Sequence, residues 1–340
     1  LYSCGYCFLK KIKHKPVKTA FAVISIFISC SLMGQVDDVR VLRLDSGALM
    51  GPVFLDSITV GVRKQLEGKE LISSILLKDN PNQNFAELLQ KQSGIFIRSS
   101  GAGMLSTPSY KGLGTQQTPI LINGANMQSS MNGTMDLSLI DAAHFGRVSL
   151  AKADASTTGA QGMGDAIGLS SLSQEDGLYI GLSTSTQKEL SANIKYVQNK
   201  KEWSYSISGV ATQSENQVSL EHYGIDGFQS NTDFKRASLL QTIGYKWLHS
   251  EWTNTLYLQG SERGVPPQIN LTNDSRQLDV NAMMVNKYTI KTSENWVYEA
   301  ANQIWAEQIV LDNAQNGVQT DSKVFNSNTT ASGSKYFKNK

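Results

Sequence analysis

Trp203-Ser204-Tyr205-Ser206-Ile207-Ser208-Gly209 is the stretch on which the fold turns. A period of two puts Trp203, Tyr205, Ile207, Gly209 and Ala211 on one face of a strand and Ser204, Ser206 and Ser208 on the other. A helix would mix the two sets. The same grammar extends both ways. Upstream, Leu178, Ile180 and Leu182 oppose Tyr179, Gly181 and Ser183, and Leu190, Ala192, Ile194 and Tyr196 oppose Ser191, Asn193 and Lys195. Downstream it returns over residues 237–247, 252–260, 282–290 and 296–306. Segments of about ten residues have the length of a tilted strand crossing a hydrocarbon layer.

The connections add a second regularity. Residues 198–202, 249–250 and 291–294 are brief turns, whereas 217–234 and 264–277 are long. Trp203, Trp247, Trp252 and Trp296 all stand beside the brief turns, where an aromatic girdle at one membrane interface would put them. A soluble sandwich shares the alternation but does not place tryptophans on one rim. The expected architecture is therefore an α+β domain followed by antiparallel transmembrane β-barrel strands. About seven strands are legible, too few for a closed transmembrane barrel, and the sequence is expected to continue past Lys340.

At the other end, Lys10, Lys11, Lys13, Lys15 and Lys18 precede a nearly continuous apolar run over residues 19–33. That run is shorter than the roughly 20 residues of a comfortable span and suits an export signal, with Gly34 before Gln35 as a cleavage point. A lipobox at Phe27-Ile28-Ser29-Cys30 is the competing reading and would make Cys30 a lipid anchor, though Phe27 matches poorly. The chain opens on Leu1, so its upstream boundary is read as arbitrary.

Composition excludes much. The 340 residues allow two domains, and 40% hydrophobic content is enough for a core. A net charge of +2 gives no electrostatic pull toward nucleic acid. Cys4, Cys7 and Cys30 all lie in the export segment, so the mature chain is expected to hold no thiol. His14, His144, His222 and His249 lack metal-ligand spacing. A hydrolase could use Asp136, Asp141 and His144, but His144 reads better as a surface or capping residue. No catalysis, metal or cofactor is expected.

Between signal and strands lies an α/β region. Residues 84–90 read as a short helix, with Phe85, Leu88 and Leu89 on one face and Asn82 or Asn84 near its cap. Residues 95–97 follow as a strand. The Gly- and Ser-rich residues 99–114, with Pro108, read as loop. Pro119-Ile120-Leu121-Ile122 is a buried strand stopped by Asn123-Gly124. Residues 124–133 form another loop, 136–143 look helical, and 156–168 are almost all small. Ahead of this region, Leu55-Asp56-Ser57-Ile58-Thr59-Val60-Gly61 is β-prone: an ordinary strand, or one that adds to the edge of a partner's sheet.

In order and spacing these segments resemble the plug of the TonB-dependent receptors. The helix-glycine-strand signature is matched by Phe85-Ala86-Glu87-Leu88-Leu89-Gln90-Lys91-Gln92-Ser93-Gly94-Ile95, the Arg-Gly motif by Lys111-Gly112-Leu113-Gly114, and the run closing in Asp-Gly by Ile120-Leu121-Ile122-Asn123-Gly124. Gly146-Arg147-Val148-Ser149-Leu150 leading to Gly164-Asp165-Ala166-Ile167-Gly168-Leu169 resembles the last plug signature. Lys111, Asn123, Ala153-Asp154 and Leu169 depart from the usual residues.

The resemblance implies a signal region at 1–34, an extension with a TonB box at 35–68, a plug at 69–172 and barrel strands at 173–340, in the cell outer membrane. Asp56, Ser57, Ile58, Thr59 and Val60 would be the TonB box, engaging TonB and its inner-membrane energising complex. Arg98, Ser99, Ser100, Met104, Ser106 and Tyr110, with Asn126, Gln128 and Asn132, would be the plug's ligand-binding residues. Energised import of a scarce siderophore, cobalamin or similar small molecule is the implied activity, and the short extension points to a compact vitamin or siderophore receptor. The alternative is a surface β-rich lectin or adhesin without active transport.

Overall fold

Asn84 accepts a hydrogen bond from the backbone N–H of Ala86 at 2.8 Å and so starts the first helix, α1 (Phe85–Gln92). Its Phe85, Leu88 and Leu89 are fully buried, as their spacing on one face requires. They pack over a sheet of five strands: β1 (Lys69–Ile72), β4 (Ile120–Ile122), β5 (Ala125–Asn126), β6 (Arg147–Lys152) and β7 (Asp165–Ser170), while β2 (Phe96–Ser99) and β3 (Ser106–Ser109) form a separate hairpin. The sheet order is β1-β6-β7-β4-β5, with β4 and β7 parallel and the other pairs antiparallel. Ile120, Ile122, Val148, Ile167 and Leu169 complete the core.

The computed structural model describes residues 69–72, 76–77, 83–152, 165–172, 175–186, 188–221, 224–267, 274–292, 296–313 and 317–335. All of them belong to one compact unit, Thr59–Lys340. Asn123 at φ 50° and Gly124 at φ 88° close the two-residue turn between β4 and β5, a geometry that asparagine and glycine adopt readily.

Three expectations for this domain fail, the first being the loop read over residues 124–133, which β5 interrupts. Residues 99–114 are not all loop: β3 lies within them, and Pro108 pairs with Ile97. A two-stranded ribbon has an open side toward which a proline's missing N–H can face. Residues 136–143 are not one helix but two single 3-10 turns, Leu137–Leu139 and Ala142–His144. The Asp136 carboxylate caps the first turn by accepting from the N–H of Ser138 at 3.0 Å, and the extended backbone at Ile140 (φ -103°, ψ 133°) and Asp141 (φ -106°, ψ 132°) separates it from the second.

The alternating segments form an eight-stranded antiparallel meander. In order they are β8 (Gly177–Thr184), β9 (Glu189–Asn199), β10 (Trp203–Ser214), β11 (Phe234–Trp247), β12 (Ser250–Gly264), β13 (Arg276–Lys291), β14 (Trp296–Asn313) and β15 (Val318–Lys335). Ser191, Ser206, Ser208, Ser238, Thr242 and Thr255 face inward and are buried, while Ile180, Leu182 and Ile194 face outward and are exposed. Seven of these strands follow the pattern read from the sequence. The eighth, β15, pairs with β14 over its whole length although its sequence is polar on both faces.

The brief connections β9–β10, β11–β12 and β13–β14 lie on the tryptophan rim, where Trp203 lies 4.3 Å from Tyr245 and Trp252 lies 6.4 Å from Tyr288, between ring centroids. The opposite rim carries the longer connections, between β10 and β11 and between β12 and β13, and two shorter ones, between β8 and β9 and between β14 and β15. Among the described residues no helix is long and apolar enough to cross a membrane.

Candidate functional site: the plug seat and its outer face

The two 3-10 turns present their acids to the wall. Arg236 of β11 reaches Asp141 with Nη2 at 3.0 Å from Oδ1, and its Nη1 donates to the Ser138 carbonyl at 2.8 Å. Arg263 of β12 pairs with Asp136 at 2.8 Å and also donates to the Gly103 carbonyl at 3.3 Å. Its Nη2 lies 3.4 Å from Asp279 of β13. All five charged side chains are at least nine-tenths buried. A buried charge is costly unless paired, and the Ser138 and Gly103 carbonyls and the Ser238 hydroxyl take up further polar atoms of these pairs.

His144 sits beside them, fully buried rather than at the surface as the sequence suggested. Its Nδ1 is 2.7 Å from Ser208 Oγ and its Nε2 is 2.8 Å from Ser238 Oγ. Ser238 gives its only proton to Asp141 Oδ2 at 2.6 Å, so it must accept from His144 Nε2–H. Nδ1 then accepts from Ser208. Burial pulls the imidazole pKa down to about 4; Asp141 opposes the shift, and Lys195 and Arg236 add to it. The ring is therefore neutral at ordinary pH. The three residues a hydrolase could have used are thus each engaged in joining plug to wall.

A third set of bonds fastens the β4–β5 turn. Asn123 Nδ2 lies 2.8 Å from Ser171 Oγ, 3.2 Å from Thr242 Oγ1 and 3.0 Å from Thr255 Oγ1, and Oδ1 accepts from the N–H of Ser171. An aspartate here would bring a charge without the amide's donors. Lys111, on the plug's own surface, pairs with Asp165 at 2.8 Å, joining two motifs far apart in sequence. That hydrogen bond and charge raise the lysine's pKa.

The residues proposed to touch ligand fall into separate places. Arg98, Ser99 and Ser100 are exposed near the apex of the β2–β3 hairpin. The apex docks on the long-loop rim: Asn216 Nδ2 donates to the Ala102 carbonyl at 2.8 Å, and Phe234 packs against Gly103. Met104 and Ser106 are buried within the hairpin, with Ser106 Oγ bonded to Ser99 Oγ at 2.9 Å and to the Met104 carbonyl at 3.1 Å. Tyr110 lies beyond the far end of β3, half-buried, with the Lys111 ammonium 4.9 Å above its ring. The second loop stands against other strands: Gln303 of β14 donates to the Asn126 carbonyl at 2.7 Å, and Gln128 Nε2 donates to the Gln116 carbonyl at 2.7 Å. Asn132 is exposed. Asp56, Ser57, Ile58, Thr59 and Val60 lie outside the described residues.

The sequence reading missed Asn216, Phe234, Arg236 and Arg263. The two arginines fall just beyond the strand limits read from alternation, yet a charge on a face otherwise made of Ser and Thr would have marked them. Among the described residues no group of three or more His, Cys, Asp or Glu side chains is placed to hold a metal ion.

Residues 63–166 match the family model described as the TonB-dependent Receptor Plug Domain. Those residues form a plug domain of the TonB-dependent receptor type. Plug and wall together resemble solved receptors in fold. The FrpB iron transporter from Neisseria meningitidis (F3-3 variant) is 12% identical with a TM-score of 0.62, over 78% of this chain and 45% of that one. The siderophore receptor PiuA from Acinetobacter baumannii is 12% identical with a TM-score of 0.53, over 80% of this chain and 46% of that one. A mutant (R480A_Q482A) of the ferric enterobactin receptor PfeA from Pseudomonas aeruginosa is 13% identical with a TM-score of 0.55, over 80% of this chain and 46% of that one. The chain thus spans about half the length of the receptors it matches. No curated protein matches it. The wall beside this plug has the fold of a stretch of outer-membrane barrel, and the tryptophan rim stands where a girdle at one membrane boundary would.

Proposed function

We propose that this protein is a TonB-driven transporter that captures a metal chelate, a ferric siderophore by comparison with similar receptors, at its outer face. The observation that carries the reading is the seat of the plug. Side-chain bonds from Asp136, Asp141, His144 and Asn123 fasten it to the wall, and such bonds can be exchanged for water. A lectin or adhesin has no need of a plug that can be displaced. The names of the similar structures, an iron transporter, a siderophore receptor and a ferric enterobactin receptor, support the ligand class.

In this reading the ligand meets the exposed Arg98, Ser99 and Ser100 at the hairpin apex and Asn132 on the second loop, below the long wall loops. Asp56, Ser57, Ile58, Thr59 and Val60 add as a strand to TonB, with main-chain hydrogen bonds supplying the affinity. Tension on that segment loosens the seat and opens a path along the hydroxyl-lined wall.

Two measurements test this. A peptide covering residues 54–64 is titrated with the C-terminal domain of TonB, with an Ile58→Pro control that removes one strand donor. Saturable binding, lost in the control, is expected. Uptake of radiolabelled ferric siderophores by cells with the full-length receptor should then require TonB. Uptake indifferent to TonB would overturn the reading.

A further inference from the structure

The outward face of the wall carries a row of amides where a lipid-facing surface should be apolar. Asn254 of β12 stands directly opposite Asn286 of β13, Asn286 opposite Asn302 of β14, and Asn302 opposite Thr329 of β15. Alternation fixes their direction. The chain neighbours Thr255 and Gln303 face the plug and bond to Asn123 and Asn126, so Asn254 and Asn302 face away from it. Their paired partners Asn286 and Thr329 share that face.

Two hydrogen bonds run along the row, from Asn254 Nδ2 to Asn286 Oδ1 at 2.9 Å and from Asn302 Nδ2 to Thr329 Oγ1 at 2.8 Å. Among the described residues the amide nitrogen of Asn286 has no acceptor. The row lies one outward step from the Trp252–Tyr288 pair of the girdle, roughly 6–7 Å along the strand. The next outward step is apolar at Leu256, Met284 and Ile304, with Gln241 of β11 and Ser327 of β15 at its two ends. The amides therefore lie inside the apolar band, where acyl chains offer neither donor nor acceptor and an unmatched amide is costly.

We propose that this row is an intramembrane contact between two copies of the protein. The partner is read from the chemistry of the row, which is neutral and holds both donors and acceptors. A charged partner would find no counter-charge in it. A second copy turned about a two-fold axis presents the same amides in reverse and satisfies both sets at once, as an isologous interface does. On the girdle side the row is flanked by Ala300 and Ala331, small enough for another strand's side chains to approach. The inference rests on the barrel fold alone and is independent of the ligand.

The test uses the full-length receptor in its own outer membrane. Asn286→Cys is treated with a short bismaleimide, beside the unsubstituted protein. A cross-linked species of twice the monomer mass is expected, at least tenfold weaker when Asn254→Leu and Asn302→Leu are added to the same variant. As a second measurement, Asn286→Leu/Asn302→Leu is purified into nanodiscs, where the protein mass by light scattering should fall from two copies to one while the heat-modifiable gel shift of a folded barrel persists. A wild-type receptor that is a monomer in nanodiscs, or a cross-link to a different protein or to a lipid, overturns the proposal.

Discussion

Arg236 and Asp141 face each other across the seam between wall and plug, 3.0 Å apart and each only 4% exposed. Ser238 and the Ser138 carbonyl take up further polar atoms of the pair. It is a bond made across the seam and sealed from water on both sides.

Removing one partner leaves the other charge buried and uncompensated, a loss on the order of 3–5 kcal/mol. Arg236→Ala is expected to lower the plug's melting temperature and open it to trypsin. Arg236→Met combined with Asp141→Leu should cost less than either single change, because no orphan charge remains. Calorimetry of the wild type, the single variants and the double variant checks the ordering.

The His144 imidazole, held down to about 4 by burial, gives the seat a pH dependence of known sign. Above the ordinary histidine value near 6.5 it is neutral whether or not the plug is docked, so its contribution is fully present. Between about 6.5 and 4 the undocked state binds a proton that the docked state refuses, and stability falls with pH. Below about 4 both states are protonated and the slope flattens. His144→Gln keeps a donor and an acceptor for Ser208 and Ser238, and is expected to flatten this part of the profile. Plug unfolding by denaturant from pH 7 to pH 4 measures it.

Gly103 has φ 69° and lies so close to Phe234 that an added Cβ would penetrate the ring. Gly103→Ala is therefore expected to lift the hairpin apex off the wall and expose Arg98 and its neighbours to protease. Phe234→Ala in the same protein should recover part of the loss, with the strain of a left-handed alanine left over. Protease half-lives of the single and double variants decide it.

At Asn123 the side chain can be separated from the backbone. Asn123→Gly keeps the turn's positive φ and deletes the bonds to Ser171, Thr242 and Thr255, which should cost about 1–3 kcal/mol. Asn123→Ala adds backbone strain to that loss. A glycine variant as stable as wild type would mean that those contacts add nothing net.

Much of this architecture was legible because membrane strands separate chemistry by face. The tryptophans, the alternating serines and the two long loops all reported on one wall. The pattern failed at β15, where Ser, Thr and Asn occupy both faces and only the pairing with β14 reveals a strand. It failed at Pro108, where a local rule about proline was overridden by a ribbon with an open side. The spacing of Leu137 and Ile140 imitates a helical face, but the backbone turns extended at Ile140 and Asp141 and leaves two single turns. The seat was beyond sequence reading, since Arg263 and Asp136 are 127 residues apart. Nothing local records that they meet.

Ser208, Ser238, Thr242 and Thr255 give the seat a chemical character of its own. Apart from the arginines, what holds His144 and Asn123 is a set of short hydroxyls on the inner wall. A hydroxyl exchanges a protein partner for water with little net change in free energy, whereas a leucine exposed in the same place would carry the full hydrophobic penalty. The wall behind the plug is thus already a wettable surface. Once the buried ion pairs part, water can take up the bonds the plug relinquishes, and the same hydroxyls stand ready to receive it again.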